Sequence, residues 1–286
     1  MSIISPNNLI ATIESYLSPS VSVSTSVSNG PSLPALDLIT TSTLTKLKNL
    51  GPARIKDMRT LGQSKQIVSH MPIVATPQAC ARSNDSLHAA IYLHADKYAA
   101  LALLPSAKGG GQDAARELQR CVAKYRFVGG VVGLQHQSGG EGCSIDGSYE
   151  ELWAMAVKFR VPIALREIWP VGSELSDYQA NLAGTVLAPL ATHFHTTHTS
   201  SPLPILHLYL ASVFDRHPSL RLILAHPGLL PALLPRIETL LAHIPCTDKP
   251  KRPFLDVWQH NFYLTTVDVL DMSSMRTLLE QTPMDR

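Results

Sequence analysis

At 286 residues, with 45% hydrophobic and 16% charged residues, the chain is long enough to bury a full core, as one large α/β barrel or as two smaller domains. A net charge of +2 gives no electrostatic reason to expect nucleic acid or an acidic membrane surface as a partner. No run approaches the ~18 apolar residues of a membrane span. The N-terminus lacks the regions of a secretory signal, and the four cysteines are scattered without a C-x-x-C pair, so a cytoplasmic protein with reduced thiols is expected.

Strand-like and amphipathic helical runs alternate along the chain. The first strand is expected at Leu9–Ile13. Ser18–Pro34 follows, rich in Ser and Val; its composition reads as a low-complexity loop, while the alternation of Val21, Val23, Thr25 and Val27 with serines would also suit an extra strand. The spacing then predicts a helix over Thr43–Leu61, a strand over Gln66–Ser69, a helix over Gln78–His94 and a strand over Ala99–Leu103. Next come a helix over Gln112–Tyr125, a strand over Val128–Leu134, a helix over Tyr149–Phe159 and a strand over Pro162–Leu165. Trp169–Ser201 breaks the rhythm and reads as a lid-like insertion. A helix over Pro202–Arg216, a strand over Leu220–Ala225, a helix over Leu230–Ile244, a strand over Asn261–Thr265 and a helix over Ser273–Gln281 complete the series. Strands separated by such helices argue for βα units and a parallel sheet. The expected fold is an α/β (β/α)8 TIM-type barrel spanning residues 1–286 as one domain, incomplete at its C-terminus. In such a barrel the C-terminal strand ends face the active site.

One segment carries the most chemistry. Val213–Glu238 reads VFDRHPSLRLILAHPGLLPALLPRIE, an apolar run that stops on His226 and Gly228. It resembles the strand-and-helix signature of the decarboxylase branch of the amidohydrolase superfamily, the branch of the aminocarboxymuconate-semialdehyde and hydroxybenzoate decarboxylases. Leu50–Met58, Ser83–Pro105, Ala115–Val122 with Phe127–Gly130, and NFYLTTVDVL with Leu279–Arg286 are similar to further segments of that family, in the same order. The resemblance runs over residues 9–286 and implies the barrel.

That family normally holds a metal, and the resemblance places its ligands here residue by residue. The Glu and His of its first strand fall on Ile13 and Ser15. Glu14 lies between them and would point the other way. The histidine of its fifth strand falls on Arg166, and its last Asp would follow an eighth strand beyond Arg286. Of the usual set only His226 remains. A divalent ion needs three or four oxygen or nitrogen ligands, and a guanidinium is not one. No metal and no cofactor is therefore expected.

Arg166 at a strand tip has two readings: a structural ion pair with Glu167, or a fixed positive charge where the family places its metal. His226 is the acid–base candidate. Together Arg166 and His226 make up the expected catalytic pair, with His136, Glu167, Trp169, Tyr178 and Arg236 as substrate-binding residues. His193, His195 and His198 read as a polar surface loop rather than a metal site. Gly109–Gly111 lacks the spacing and the Lys-Ser/Thr of a phosphate loop. His70 is at most a pocket wall.

The expected function is a metal-independent lyase acting on an aromatic or polyketide-derived carboxylic acid. The alternatives are a metal-free isomerase, dehydratase or cyclase of a biosynthetic intermediate, and a non-catalytic pseudoenzyme that binds a ligand or partner. The expected partner is a small-molecule substrate, with neither nucleic acid nor membrane, in a homo-oligomer.

Overall fold

The computed structural model describes residues 9–19, 34–73, 75–106, 109–134, 145, 147–170, 173–179, 182–195, 202–228, 230–245, 249–267 and 272–281. Seven parallel strands form one sheet in chain order: β1 (Leu9–Tyr16), β2 (Gln63–His70), β3 (Tyr98–Leu104), β4 (Gly129–Leu134), β5 (Ile163–Glu167), β6 (Leu222–Leu224) and β7 (Phe262–Leu264). Each overlaps a strand expected from the sequence. Neighbours pair in parallel throughout, and β1 and β7 are the two edges of this sheet. The architecture is the incomplete TIM-type barrel that the alternation of strands and helices implied.

The helices are α1 (Thr41–Lys48), α2 (Pro52–Thr60), α3 (Pro77–Ile91), α4 (Gly111–Tyr125), α5 (Glu150–Phe159), α6 (Ser173–Gln179), α7 (Gly184–Pro189), α8 (Leu203–Leu210), α9 (Val213–Arg216), α10 (Leu230–Ala242), α11 (Phe254–Asn261) and α12 (Met272–Gln281). Besides α6 and α7 inside the insertion, the helices depart from the sequence reading at three places. The single helix expected over Thr43–Leu61 is two, because Asn49 leaves the helix in an extended conformation and Gly51-Pro52 starts a new one with proline in its first turn. The helix expected over Pro202–Arg216 breaks at Ser212, whose backbone is left-handed at φ 56°. Helix α11 was not expected; it begins after Pro253 and runs directly into β7. The Val/Ser-alternating residues 20–33 lie outside the described residues, so neither reading of Ser18–Pro34 is decided.

The alternation along the strands sorts two cores. Leu101 and Leu103 of β3, Val131 of β4 and Ala164 of β5 fill the concave inner face with Leu17, Met71 and Ile168. Val68, Ala100, Leu104, Val132, Leu165, Leu222 and Phe262 point outward and pack under the helices with Met58, Leu118, Trp153, Phe214 and Trp258. Gly111 at the start of α4 has no room for a Cβ against the Ser148 carbonyl. Gly111 thus serves close packing, while Gly109 has open space around it and takes a left-handed φ of 74°.

Two buried asparagines act as substitutes for missing strand neighbours. The β2–β3 pairing ends at Ser69 and Leu101. Two residues further on, the Leu103 N–H donates to Asn84 Oδ1 at 2.7 Å, and Asn84 Nδ2 donates to the Leu103 carbonyl at 2.9 Å and to Glu117 at 2.7 Å. Asn261 does the same at the other end, donating to the Pro218 and Leu220 carbonyls ahead of β6 while accepting from Arg252. No helix among the described residues is long and apolar enough to cross a membrane.

Replacing Asn84 leaves a strand N–H and a strand carbonyl without this partner and takes one donor from Glu117, which keeps Arg120. Asn84→Ala is expected to lower the unfolding free energy by about 2–4 kcal/mol, read from urea denaturation.

Candidate active site

The C-terminal ends of the strands open into a cavity of about 650 Å³. Its walls come from β1 (Thr12 to Ser15), α1 (Leu47) and Ile39 ahead of it, the loop after β2 (Met71) and the tips of β5, β6 and β7 (Arg166, Ala225, Thr265). Trp169, Thr192, His193 and His226 complete the mouth, and Glu14, Arg54, Asp57 and Gln66 line its polar flank along the free edge of β1.

Arg166 is the centre of this arrangement. On β5, Ala164 faces the inner core and Arg166 follows on the same face, while Glu167 turns to the other face and is buried. The Arg166 guanidinium donates to Ser15 Oγ of β1 at 2.7 Å and to Ser69 Oγ of β2 at 3.5 Å. Both acceptors are neutral hydroxyls. Among the described residues no carboxylate lies within ion-pairing distance of it, so the Glu167 pairing considered from the sequence does not form. Burial pulls its pKa down to about 10, against the opposing influence of the Glu167 and Glu14 charges. At neutral pH it is a cation whose direct hydrogen-bond partners are two hydroxyls, with the Glu167 and Glu14 charges acting from further away.

A bulge in β1 prepares that position. Ala11 pairs with Gln66 but Glu14 with Val68, so β1 spends one residue more than β2 over this stretch. Ile13 takes a left-handed backbone at φ 57°, a strained conformation for a β-branched residue. Beyond the bulge Glu14 faces outward, where Arg54 Nη2 donates to it at 3.1 Å, and Ser15 faces inward to Arg166. Arg54 also donates to Gln66 and to the Ser15 carbonyl, fixing the strand from behind.

His226 follows Ala225 at the end of β6. The Ala225 N–H donates to the Leu165 carbonyl, which sets the β6 tip beside that of β5. His226 and Arg166 therefore line one cavity from adjacent strands. Thr265, from β7, donates to the Ala225 carbonyl at 2.6 Å and fixes the same tip from the other side.

The remaining expected residues divide. Trp169 lines the cavity. Tyr178 is not among the lining residues; its hydroxyl lies 2.8 Å from His195 Nδ1, and His195 Nε2 lies 3.2 Å from the Ile168 carbonyl. This corrects the surface-loop reading of the histidine cluster, because His195 is buried at 2% exposure and ties the segment after α7 to the end of β5, while His193 lines the cavity. Glu167 is buried and outside the lining set. Arg236 is exposed on α10, whose buried face carries Leu230, Leu234, Ile237 and Leu241, and it stands away from the cavity. His136 and His198 lie outside the described residues. His70 is fully buried and is not a pocket wall: it accepts from the Ser18 N–H, donates to the Met71 carbonyl, and burial lowers its pKa to about 4, so it stays neutral. Cys80 and Cys121 are buried free thiols, whose pKa values burial pushes far up, to about 12 for Cys80.

The overall fold and parts of the sequence are shared with known proteins. Residues 53–247 match the family model described as Amidohydrolase. The chain belongs to the amidohydrolase family. The decarboxylase orsB of Emericella nidulans is 31% identical over 247 residues, covering 84% of this chain and 73% of that protein. The γ-resorcylate decarboxylase of Rhodococcus jostii is 30% identical over 198 residues, 65% of this chain and 56% of that one. The chain thus spans little more than half of the latter's length. A crystal structure described as a dihydroxybenzoic acid decarboxylase from a Polaromonas species, with bound manganese and the inhibitor 2-nitroresorcinol, superposes with a TM-score of 0.74 at 24% identity, over 96% of this chain and 83% of that one. At that identity the superposition speaks to the fold.

Manganese in such a neighbour makes the donor set here decisive. At the positions to which the amidohydrolase resemblance assigns ligands, this chain has a hydrocarbon (Ile13), a hydroxyl (Ser15), a cation (Arg166) and one imidazole (His226). No group of three or more His, Cys, Asp or Glu that could hold an ion comes together among the described residues. The described residues at those positions do not fit a divalent metal.

A half-buried cation with no direct ion-pair partner among the described residues costs stability when nothing is bound to it. Arg166→Met, close in volume, is expected to raise the unfolding free energy by about 1–3 kcal/mol, seen as a higher Tm. The gain should fade as pH rises through the folded-state value near 10, because the wild-type arginine then sheds its charge on its own.

Proposed function

We propose that this chain is a carbon–carbon lyase that decarboxylates an aromatic or polyketide-derived carboxylic acid by acid–base chemistry, without a divalent metal. The relatives named as decarboxylases support the reaction class. The observation that carries the metal-free part is Arg166, a cation on two serine hydroxyls at the position to which the family resemblance assigns a metal ligand.

The cavity suits such a substrate. Ile39, Leu47, Met71, Trp169 and Val267 offer an apolar wall for a ring, and Arg166 offers the fixed charge that orients an anion. His226 is placed to move a proton, since histidine is the side chain that exchanges one near neutrality. The described residues 182–195, α7 and the turn after it, bring Thr192 and His193 to the mouth and act in this reading as a cover that keeps water out.

A panel of hydroxylated aromatic acids assayed for CO2 release tests this directly. Turnover should be unchanged by EDTA and not raised by added Mn2+; turnover that vanishes with the chelator and returns with the ion would refute the metal-free reading. His226→Ala and Arg166→Ala should each lower kcat/KM by about 100-fold or more.

A further inference from the structure

The polar groups around Arg166 specify what it binds. A guanidinium has five N–H donors. One is taken by Ser15 and one, at long range, by Ser69, which leaves the rest without a protein acceptor among the described residues. Ser15 accepts from Arg166, so its own hydroxyl proton is free to be donated elsewhere, and both residues line the cavity. Two donors, one charged and one neutral, therefore stand side by side in the wall. Glu14, on the polar flank of the same cavity, is paired with Arg54 and makes no direct contact with Arg166. This is a built oxyanion subsite.

Charge movement decides which oxygen belongs there. When a carboxylate leaves as CO2, negative charge leaves its oxygens, so a cation clamped on it holds the ground state and opposes the reaction. The electron pair of the breaking bond passes into the ring and onto an oxygen conjugated with it. A cation and a hydroxyl on that oxygen strengthen their hold as the bond breaks.

We propose that Arg166 and Ser15 form an oxyanion subsite for the ring oxygen of the substrate, a phenolate or enolate conjugated to the carbon that loses CO2, and not for the departing carboxylate. The proposal rests on the decarboxylase reading above and assigns its charges. His226 gives a proton to the ring carbon that bears the carboxylate, and the phenolate becomes a ring carbonyl. The carbon–carbon bond then breaks, CO2 departs, and its electron pair restores the aromatic ring with the charge back on the oxygen, held by Arg166 and Ser15. Solvent returns the proton to His226. The carboxylate lies against the apolar wall of Ile39, Met71 and Trp169.

The test uses 4-nitrophenol, whose phenolate is visible, and benzoate, which has a carboxylate and no ring oxygen. On the purified full chain, bound 4-nitrophenol should ionise at a pH lower by about 1 unit or more than the free phenol. Arg166→Gln should abolish that shift and Ser15→Ala should reduce it, in proteins whose circular dichroism matches wild type. Benzoate should bind about tenfold more weakly or worse. No binding of 4-nitrophenol, an unshifted ionisation, or benzoate as the tighter ligand with its binding lost in Arg166→Gln would each overturn the assignment. The two readings fail separately: a shifted phenol with no CO2 released from any hydroxylated acid sinks the lyase and leaves the subsite. Turnover with an unshifted phenol does the reverse.

Discussion

Arg166 resting on Ser15 and Ser69 is the contact on which the candidate site depends. It joins β5 to β1 and β2 across the open end of the sheet, between residues 151 and 97 positions apart in sequence. Two hydroxyl dipoles hold the guanidinium in place, and neither cancels its charge. An ion pair would have served packing better and left nothing to bind a ligand. The rest of the mouth is arranged around that uncompensated charge: apolar side chains on one wall, His226 on the adjacent strand, and the histidine-bearing segment after α7 above it.

Outside the mouth, the structure meets the demands of a sheet that is not closed by more pairing. Asn84 caps β3 backbone beyond its pairing with β2, Asn261 holds the backbone ahead of β6, and Arg54 clamps the edge strand β1 from the helical side. These polar clamps let the strand tips hold fixed positions without an eighth strand among the described residues. Rigid tips are what a site built on strand ends requires.

Much of this was legible in the sequence. The seven strands stood out because each is a short apolar run between helical patterns, and Arg166 and His226 because each terminates such a run. The helix breaks were less readable. Gly51-Pro52 carried a start signal inside an otherwise continuous pattern, whereas nothing at Ser212 marks its left-handed backbone. Ser15 and Ser69 had no chance of being picked out as partners of Arg166, since small hydroxyls carry no spacing signature and the contact is made only by the curl of the sheet. Arg236 shows the converse: a charge near a good motif attracts attention, but the helical period turns it to solvent. His195 went unrecognised because its burial comes from the insertion's own fold around Ile168.

The extra residue in β1 decides whether the barrel mouth carries a charge at all. Were the strand regular from Ala11 onward, Glu14 would fall opposite Ser69 and Ser15 opposite His70. The carboxylate would then share the inner face with Arg166, and the two would neutralise each other in a dead salt link. The left-handed kink at Ile13 shifts the phase of the strand by one and keeps acid and base on opposite sides of it. A single backbone torsion thus works as the insulator between the Glu14–Arg54 ion pair and the cation at the mouth.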